Sequence, residues 1–388
     1  GDPLIDPSGV QVAVPKSALK NVSAGRKLRK LGRELLRLTG DDPQDRRSAA
    51  FFLGRQHDGT LMPLLEAALE REQAKWTRRG IEEAIEVIHL DSADPAVRIK
   101  AVRRLAVMHS GYALSVFGKA LEAGSEKDAD VAEAMRLAVA RIERWGIVKK
   151  IVQTTWNGLS LASILAVIAV GLAITFGLMK VINMAHGELM LVGAYATYFV
   201  QVAFKAFLPQ AAFGMYPILA IPVAFITAAI FGVIIEHLIV RHLYGRPLDT
   251  LLATFGVSLA LQQLARHSFG AQNVDIASPP WLTGGWQIIT GVVLPYNRLY
   301  ILALGAVCIL GTYFVLLRSS AGLRIRAVTQ NRQMSASLGI ATRKVDRWTF
   351  AFGSGLAGVG GCALSQLGNV GPDLGQTYII DAFMVVVL

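Results

Sequence analysis

The chain has 388 residues, of which 53% are hydrophobic and only 17% charged. That composition excludes disordered, collagen-like and small disulfide-rich classes and fits a chain that lies largely in a membrane. The net charge of +11 is not read as nucleic-acid binding, because no compact basic face with interleaved aromatics accompanies it.

Charge is unevenly placed. Residues 1–150 hold 26 Lys/Arg and 21 Asp/Glu, whereas residues 151–388 hold 13 and 7. A charged soluble region therefore precedes an apolar one. Cys308 and Cys362 both fall in apolar runs and offer neither a disulfide framework nor a metal cluster. Residues 1–20 are rich in Pro, Asp and Gly and are expected to be extended, without the basic start and apolar core of a signal peptide. Asn21-Val22-Ser23 fits a glycan acceptor pattern, one that is common by chance.

Residues 21–150 read as a helical domain that repeats. Asp42-Pro43, Arg46, Ala49 and Leu53 return as Asp94-Pro95, Arg98, Ala101 and Leu105, 52 residues later. Leu64-Leu65 and Ala68-Leu69 return as Val116-Phe117 and Ala120-Leu121. With two more residues inserted, Ile81, Ala84, Ile85 and Ile88 match Met135, Ala138, Val139 and Ile142. The i, i+3, i+4, i+7 recurrence is the apolar stripe of amphipathic helices. Each Asp-Pro suits a helix start, with Asp capping and Pro tolerated in the first turn. The pattern resembles HEAT-like repeats, which stack helices around a shared core, so packing or docking is expected here rather than chemistry. His57, His89 and His109 have no metal-ligand spacing, and Gly118-Lys119-Ala120 lacks the upstream glycine and the hydroxyl of a phosphate loop.

From residue 151 apolar runs follow at 159–178, 189–207, 215–235, 250–265, 299–317 and 348–367, and a seventh starts near Tyr378. Runs of about 20 residues cross a hydrocarbon core of roughly 30 Å. The 250–265 run is short and holds Gln262 and Gln263, so it is expected to be partly buried in the bundle. Pro217 and Pro222 are expected in the first turns of the third run, where they do least harm. The segment 318–347 carries seven of the 13 basic residues of this half, which makes it cytoplasmic. Counting spans back puts 241–246 inside, 270–297 outside, the 183–188 stretch toward the cytoplasmic half and the N-terminal domain outside. Lys149 and Lys150 argue the other way.

The polar stretch between the first two runs organises this half. Asn183, His186, Gly187 and Glu188 place an amide, an imidazole, a glycine and a carboxylate within six residues, beside two membrane spans. Such groups need a partner, water or a task. One reading is a turn whose polar groups cap helix ends and bond one another. The other is a helix break on a solute pathway, where an amide or carboxylate accepts from solute N–H groups and an imidazole or amide donates to a carbonyl. Both remain open on the sequence alone. Glu236 and His237 end the third run, with Arg241 five residues beyond Glu236, and are expected either to form a structural ion pair or to snorkel to the interface.

Residues 326–340 form a basic segment with helical apolar spacing at Met334 and Leu338 and a glycine stop at Gly339. Gly353-Ser354-Gly355-Leu356-Ala357-Gly358 matches G-x-G-x-x-G but lies in a charge-free apolar run with no preceding strand. Gly353, Ala357 and Gly361, and likewise Ser354, Gly358 and Cys362, recur at four-residue spacing, the pattern of small residues that lets helices pack closely in lipid.

The run Val181-Ile182-Asn183-Met184-Ala185-His186-Gly187-Glu188, with Gly193-Ala194-Tyr195, resembles the first-to-second-helix signature of the permeases of branched-chain amino acid ABC importers, and within them the urea permease subunit. The resemblance extends through Glu236-His237, Arg246-Pro247 and 327–340, covering nearly all of 155–388. It implies an all-α fold: a polytopic transmembrane helix bundle preceded by a soluble HEAT-like α-helical repeat domain. It further implies an importer of urea, or alternatively of branched-chain amino acids or short-chain amides, in a bacterial inner membrane. The chain would have no catalytic residues, no metal and no cofactor of its own. ATP and Mg would be bound by two partner ATPase subunits, alongside a second permease subunit and an extracytoplasmic solute-binding protein. In that setting Arg326, Gln330, Asn331, Met334, Leu338 and Gly339 belong to the loop that docks on the ATPase, and the N-terminal domain is exported. Further helices are expected after 378–388, which stops part-way through a span. A reading from another class is a membrane-anchored helical-repeat scaffold, although so many spans with polar breaks exceed what an anchor needs.

Overall fold

The computed structural model describes residues 22–289 and 292–387. The expected extended segment 1–20 and the glycan-pattern Asn21 lie outside these described residues. Residues up to Lys150 form one compact unit and residues from Ile151 on a second.

The first unit is built from α1 (Val22–Leu38), α2 (Pro43–Gly54), α3 (Met62–Arg71), α4 (Lys75–His89), α5 (Pro95–Val107), α6 (Gly111–Glu122) and the start of α7 (Ala129–Ala173). The 52-residue spacing has a physical counterpart. Asp42 caps α2 by accepting from Gln44 N–H at 2.8 Å, and Asp94 caps α5 by accepting from Ala96 N–H at 2.9 Å. Arg46 donates to the carbonyls of Gly40 and Asp41; Arg98 donates to those of Ser92 and Ala93. Each guanidinium then pairs with a carboxylate after the next helix, Arg46 with Glu72 at 2.7 Å and Arg98 with Glu126 at 3.1 Å. Two cores follow, one around Ala49, Leu53, Leu65, Ile81 and Ala84, the other around Ala101, Leu105, Phe117, Met135 and Ala138. The arginine beside Glu72 holds its carboxyl below the usual carboxylate range, whereas burial pushes that of Glu83 up.

The second unit contains the rest of α7, a π-helical turn at Ile174–Leu178, α8 (His186–Phe207), α9 (Tyr216–Leu238), α10 (Pro247–Phe269), a hairpin of β1 (Gly285–Ile289) and β2 (Val292–Pro295), α11 (Tyr296–Arg318), α12 (Ser320–Gln330), α13 (Arg332–Ser337), α14 (Thr342–Leu364) and α15 (Leu374–Val387). Among the described residues five helices are long and apolar enough to cross a membrane: those containing α7, α8, α9, α10 and α11. Helix α14 is not among them, because glycines and a charged first turn lower its hydropathy. It is nonetheless the helix on which α8 and α9 pack most extensively, and nearly every residue from Thr349 to Leu364 is buried. Its end at Leu364 is three residues short of the expected 367.

Two further expectations are corrected. The fold is not purely helical: the connection from α10 to α11 folds into the hairpin, with Trp286 opposite Leu294. Pro222 lies inside α9 rather than in its first turn, and its missing N–H leaves the Ile218 carbonyl without a helical donor. Pro217 does lie at the helix start.

Candidate functional site

The continuous helix fails at one place. After the π-turn, Lys180 takes a left-handed φ of 56°, and residues 180–185 carry no helix before α8 begins at His186. A π-turn followed by a left-handed residue breaks the i→i−4 ladder, so backbone groups must find other partners. Asn183 supplies one by accepting the Ala185 N–H on Oδ1 at 3.1 Å. Thr254 on α10 supplies another, accepting the Met184 N–H at 3.0 Å.

All four residues singled out in this stretch lie inside the chain. Asn183, His186 and Glu188 are each no more than 1% exposed. His186 Nε2 sits 3.2 Å from the Ile168 carbonyl, across to α7. Gly187 backs onto α15, where an added Cβ would lie 2.5 Å from the Gly375 carbonyl oxygen. Glu188 Oε1 accepts from Gln262 Nε2 at 2.7 Å and from Ser258 Oγ at 3.1 Å, both on α10. The capping reading thus accounts for Asn183 Oδ1. The side chains of His186 and Glu188 bond to α7 and α10, not to one another. Asn183 Nδ2, His186 Nδ1 and Glu188 Oε2 are buried with no hydrogen-bond partner among the described residues.

The basic segment 326–340 runs from the end of α12 into a second short helix, α13. Asn331 leaves helical geometry, with φ −150° and ψ 102°, and caps α13 by accepting the Met334 N–H at 2.9 Å. Gly339 ends it at φ 82°. Met334 and Leu338 stand 59% and 75% exposed, and Arg326, Gln330 and Asn331 are exposed as well. Behind this surface Arg332 Nη2 meets Asp346 Oδ2 at 2.5 Å and lies over the Tyr244 ring. Thr329 Oγ1 donates to the Leu178 carbonyl at 3.2 Å, so the segment touches the π-turn just before the break.

Residues 154–388 match the family described as branched-chain amino acid transport system, permease component. The chain belongs to this family. Similar proteins include the high-affinity branched-chain amino acid transport system permease protein BraD of Pseudomonas aeruginosa, 30% identical over 238 residues, which are 60% of this chain and 76% of that one. The permease protein LivH of the corresponding system is 29% identical in Salmonella typhimurium and 28% in Escherichia coli K12, in each case over 61% of this chain and 78% of the relative. No solved structure matches the chain significantly. The chain is therefore an ABC-type permease subunit, a transport component and not an enzyme. Such permeases are multi-pass inner-membrane proteins that work with ATPase and binding-protein partners.

In this permease α14 meets its neighbours backbone to backbone. A Cβ on Gly353 would lie 2.7 Å from the Gly171 carbonyl oxygen on α7; one on Gly358 would strike the backbone of Ala224 on α9, and one on Gly361 that of Met190 on α8. Ala357 is fully buried between them. Glu236 corrects the sequence reading: its partner is Arg347 of α14, at 3.6 Å, while Arg241 bonds the rings of His237 and His242. Sequence reasoning missed Thr254 and Ser258, small hydroxyls that carry no signal on their own. Their four-residue spacing with Gln262 was the available clue.

Proposed function

We propose that this permease imports urea, or a comparably small neutral amide, as the transmembrane subunit of a complex with a second permease, two ATPase subunits and an extracytoplasmic binding protein. The observation that carries the reading is the character of the buried polar groups at α8 and α10. Glu188, Ser258 and Gln262 offer acceptors and neutral donors. Arg266, one helical turn beyond Gln262, is already held by Asp373 at 2.5 Å. A neutral molecule with N–H donors can exchange into such a set, whereas a carboxylate brings only acceptors to face the acceptor oxygens of Glu188. The second reading is a branched-chain amino acid permease, and the names of BraD and LivH favour it.

The transport cycle in this proposal begins at Met334 and Leu338, the apolar side chains offered to the ATPase by the segment Arg326–Gly339. Displacement of α12 and α13 reaches the break through the Thr329–Leu178 bond, and Asn183, His186, Gly187 and Glu188 then change partners along the solute path. Residues 21–150 act as a HEAT-like repeat module, placed outside the membrane, that packs or docks and performs no chemistry.

Uptake of labelled urea and labelled leucine by cells carrying the complete transporter tests the reading. Urea entry without leucine entry supports it, and Leu338→Asp should abolish uptake while the complex still assembles. Leucine entry without urea would replace the first reading by the second. Normal uptake with His186→Ala would reduce that side chain to a helix-packing role.

A further inference from the structure

Helix α10 carries Thr250, Thr254, Ser258, Gln262 and Arg266 at four-residue spacing. Each step advances about 40° around the helix, so Thr250 to Gln262 form a row of about 18 Å that winds through about 120°, and Arg266 lies about 160° round from Thr250. The first four are buried, while Leu252, Phe255, Leu259 and Leu264 of the same helix are exposed. The polar side therefore faces protein and the apolar side faces outward, as expected of a helix in lipid whose polar groups have a task. α10 makes its main helix packing with α8.

The rungs of this row meet α8 and the break in order. Thr254 accepts from Met184, Ser258 and Gln262 donate to Glu188, and Phe269 at the far end stacks on Tyr195 with ring centroids 4.0 Å apart. Along the same seam three buried polar atoms have no hydrogen-bond partner among the described residues: Asn183 Nδ2, Glu188 Oε2 and the Tyr195 hydroxyl. Polar side chains between helices commonly serve as glue. Glue requires its groups to be satisfied, and orphaned buried polar atoms call for a further partner. Here a donor, an acceptor and a hydroxyl are orphaned in succession from the break outward.

We propose that the seam between α8 and α10 is a binding track for a small neutral solute bearing N–H donors, and that Gln262 determines which solute it accepts. This rests on the reading of the chain as an importer of small amides. A solute N–H on Glu188 Oε2 fills the orphaned acceptor. When the seam shifts, a second N–H takes the place of the Gln262 amide on Oε1, so that neither group is left bare. The Tyr195 hydroxyl and the Asn183 amide offer donors to the solute carbonyl before and after this station. A solute without N–H groups cannot make that exchange, and a carboxylate offers the Glu188 oxygens no donor.

The test is uptake of labelled urea, acetamide and leucine into proteoliposomes holding the complete complex. The variants are Gln262→Leu and the milder Ser258→Ala, and the control is Thr227→Val, whose hydroxyl bonds only to its own helix α9. The expected result is a KM for urea raised at least tenfold by Gln262→Leu, with a changed urea-to-acetamide ratio, a smaller rise for Ser258→Ala and none for Thr227→Val. The amount of complex and its ATP turnover should stay as in the wild type. If both seam variants lower the amount of complex, or lower the maximal rate equally for all solutes at unchanged KM, the seam is helix glue and the proposal falls. A wild type that takes up leucine and not urea overturns the amide reading by itself. In that case an unchanged leucine KM in both variants removes the track as well, whereas a raised one keeps the track and discards only its solute class.

Discussion

Arg332→Ala is the sharpest perturbation of the segment expected to face the ATPase. Arg332 opens α13 and holds Asp346 at 2.5 Å; the arginine side chain is 47% exposed and the aspartate 6%. Breaking a fully buried pair costs about 3–5 kcal/mol, and losing an exposed one roughly 0–1 kcal/mol. This pair has one dry end and one wet end. Stranding the Asp346 carboxylate should therefore cost about 2 kcal/mol, and lost contact with the Tyr244 ring adds roughly 0.5 kcal/mol. The first figure alone corresponds to roughly a thirtyfold loss in the equilibrium that keeps α13 in place. The assay is solute taken up per ATP hydrolysed by the reconstituted complex. Arg332→Ala should preserve hydrolysis and lower that ratio several-fold. Asp346→Asn should do less harm, because an amide leaves no bare charge, and the double variant should recover part of the loss. An unchanged ratio in Arg332→Ala at normal complex levels would refute the argument. Asp346→Asn as damaging as Arg332→Ala would show that the buried charge is not the cause.

Three further outcomes can be checked directly. Gly193→Val should destabilise the detergent-purified chain by about 3 kcal/mol or more, since even its Cβ would sit 2.6 Å from the Gly358 carbonyl carbon; Gly311→Ala, with nothing within 4 Å, should raise the melting temperature slightly. Thr329→Val should cost about 1 kcal/mol and lower uptake per ATP without lowering the amount of complex, read by the same reconstitution. The carboxyl of Glu72 is held down by Arg46, so its contribution to stability is complete above the ordinary carboxylate pKa and is lost as pH falls through the lowered value. Hydrogen exchange of α2 and α3 in the full chain should accelerate across that acidic window, and Glu72→Gln should flatten the dependence.

Much of the architecture was legible because it rests on spacing. The 52-residue recurrence of Asp-Pro and arginine reappears as the same cap and the same three-way guanidinium contact in both copies. The polar stretch after the first apolar run does interrupt helix. The errors have a common form. Arg241 looked like the partner of Glu236 because it is five residues away, yet Arg347, distant in sequence, approaches the buried carboxylate. The helical apolar spacing at Met334 and Leu338 carries no sign of the break at Asn331, which caps a new helix from within the segment.

The sequence by itself determined which stretches are helical and which side of each is apolar, since period and composition are local properties that burial can only use; it did not determine where such a stretch breaks, as at Asn331. It also determined that α14 would pack closely, because glycine and alanine at four-residue spacing leave room for another backbone. Only the tertiary structure decided which polar groups meet. Glu188 could have faced lipid headgroups, its own helix or solvent. It meets Ser258 and Gln262 because α8 restarts after the break, with Met184 fastened to Thr254, and so fixes which turn of α10 lies opposite. A hydrogen bond acts over about 3 Å, so its partner depends on how two helices are docked, and that docking is set by side chains dozens of residues apart.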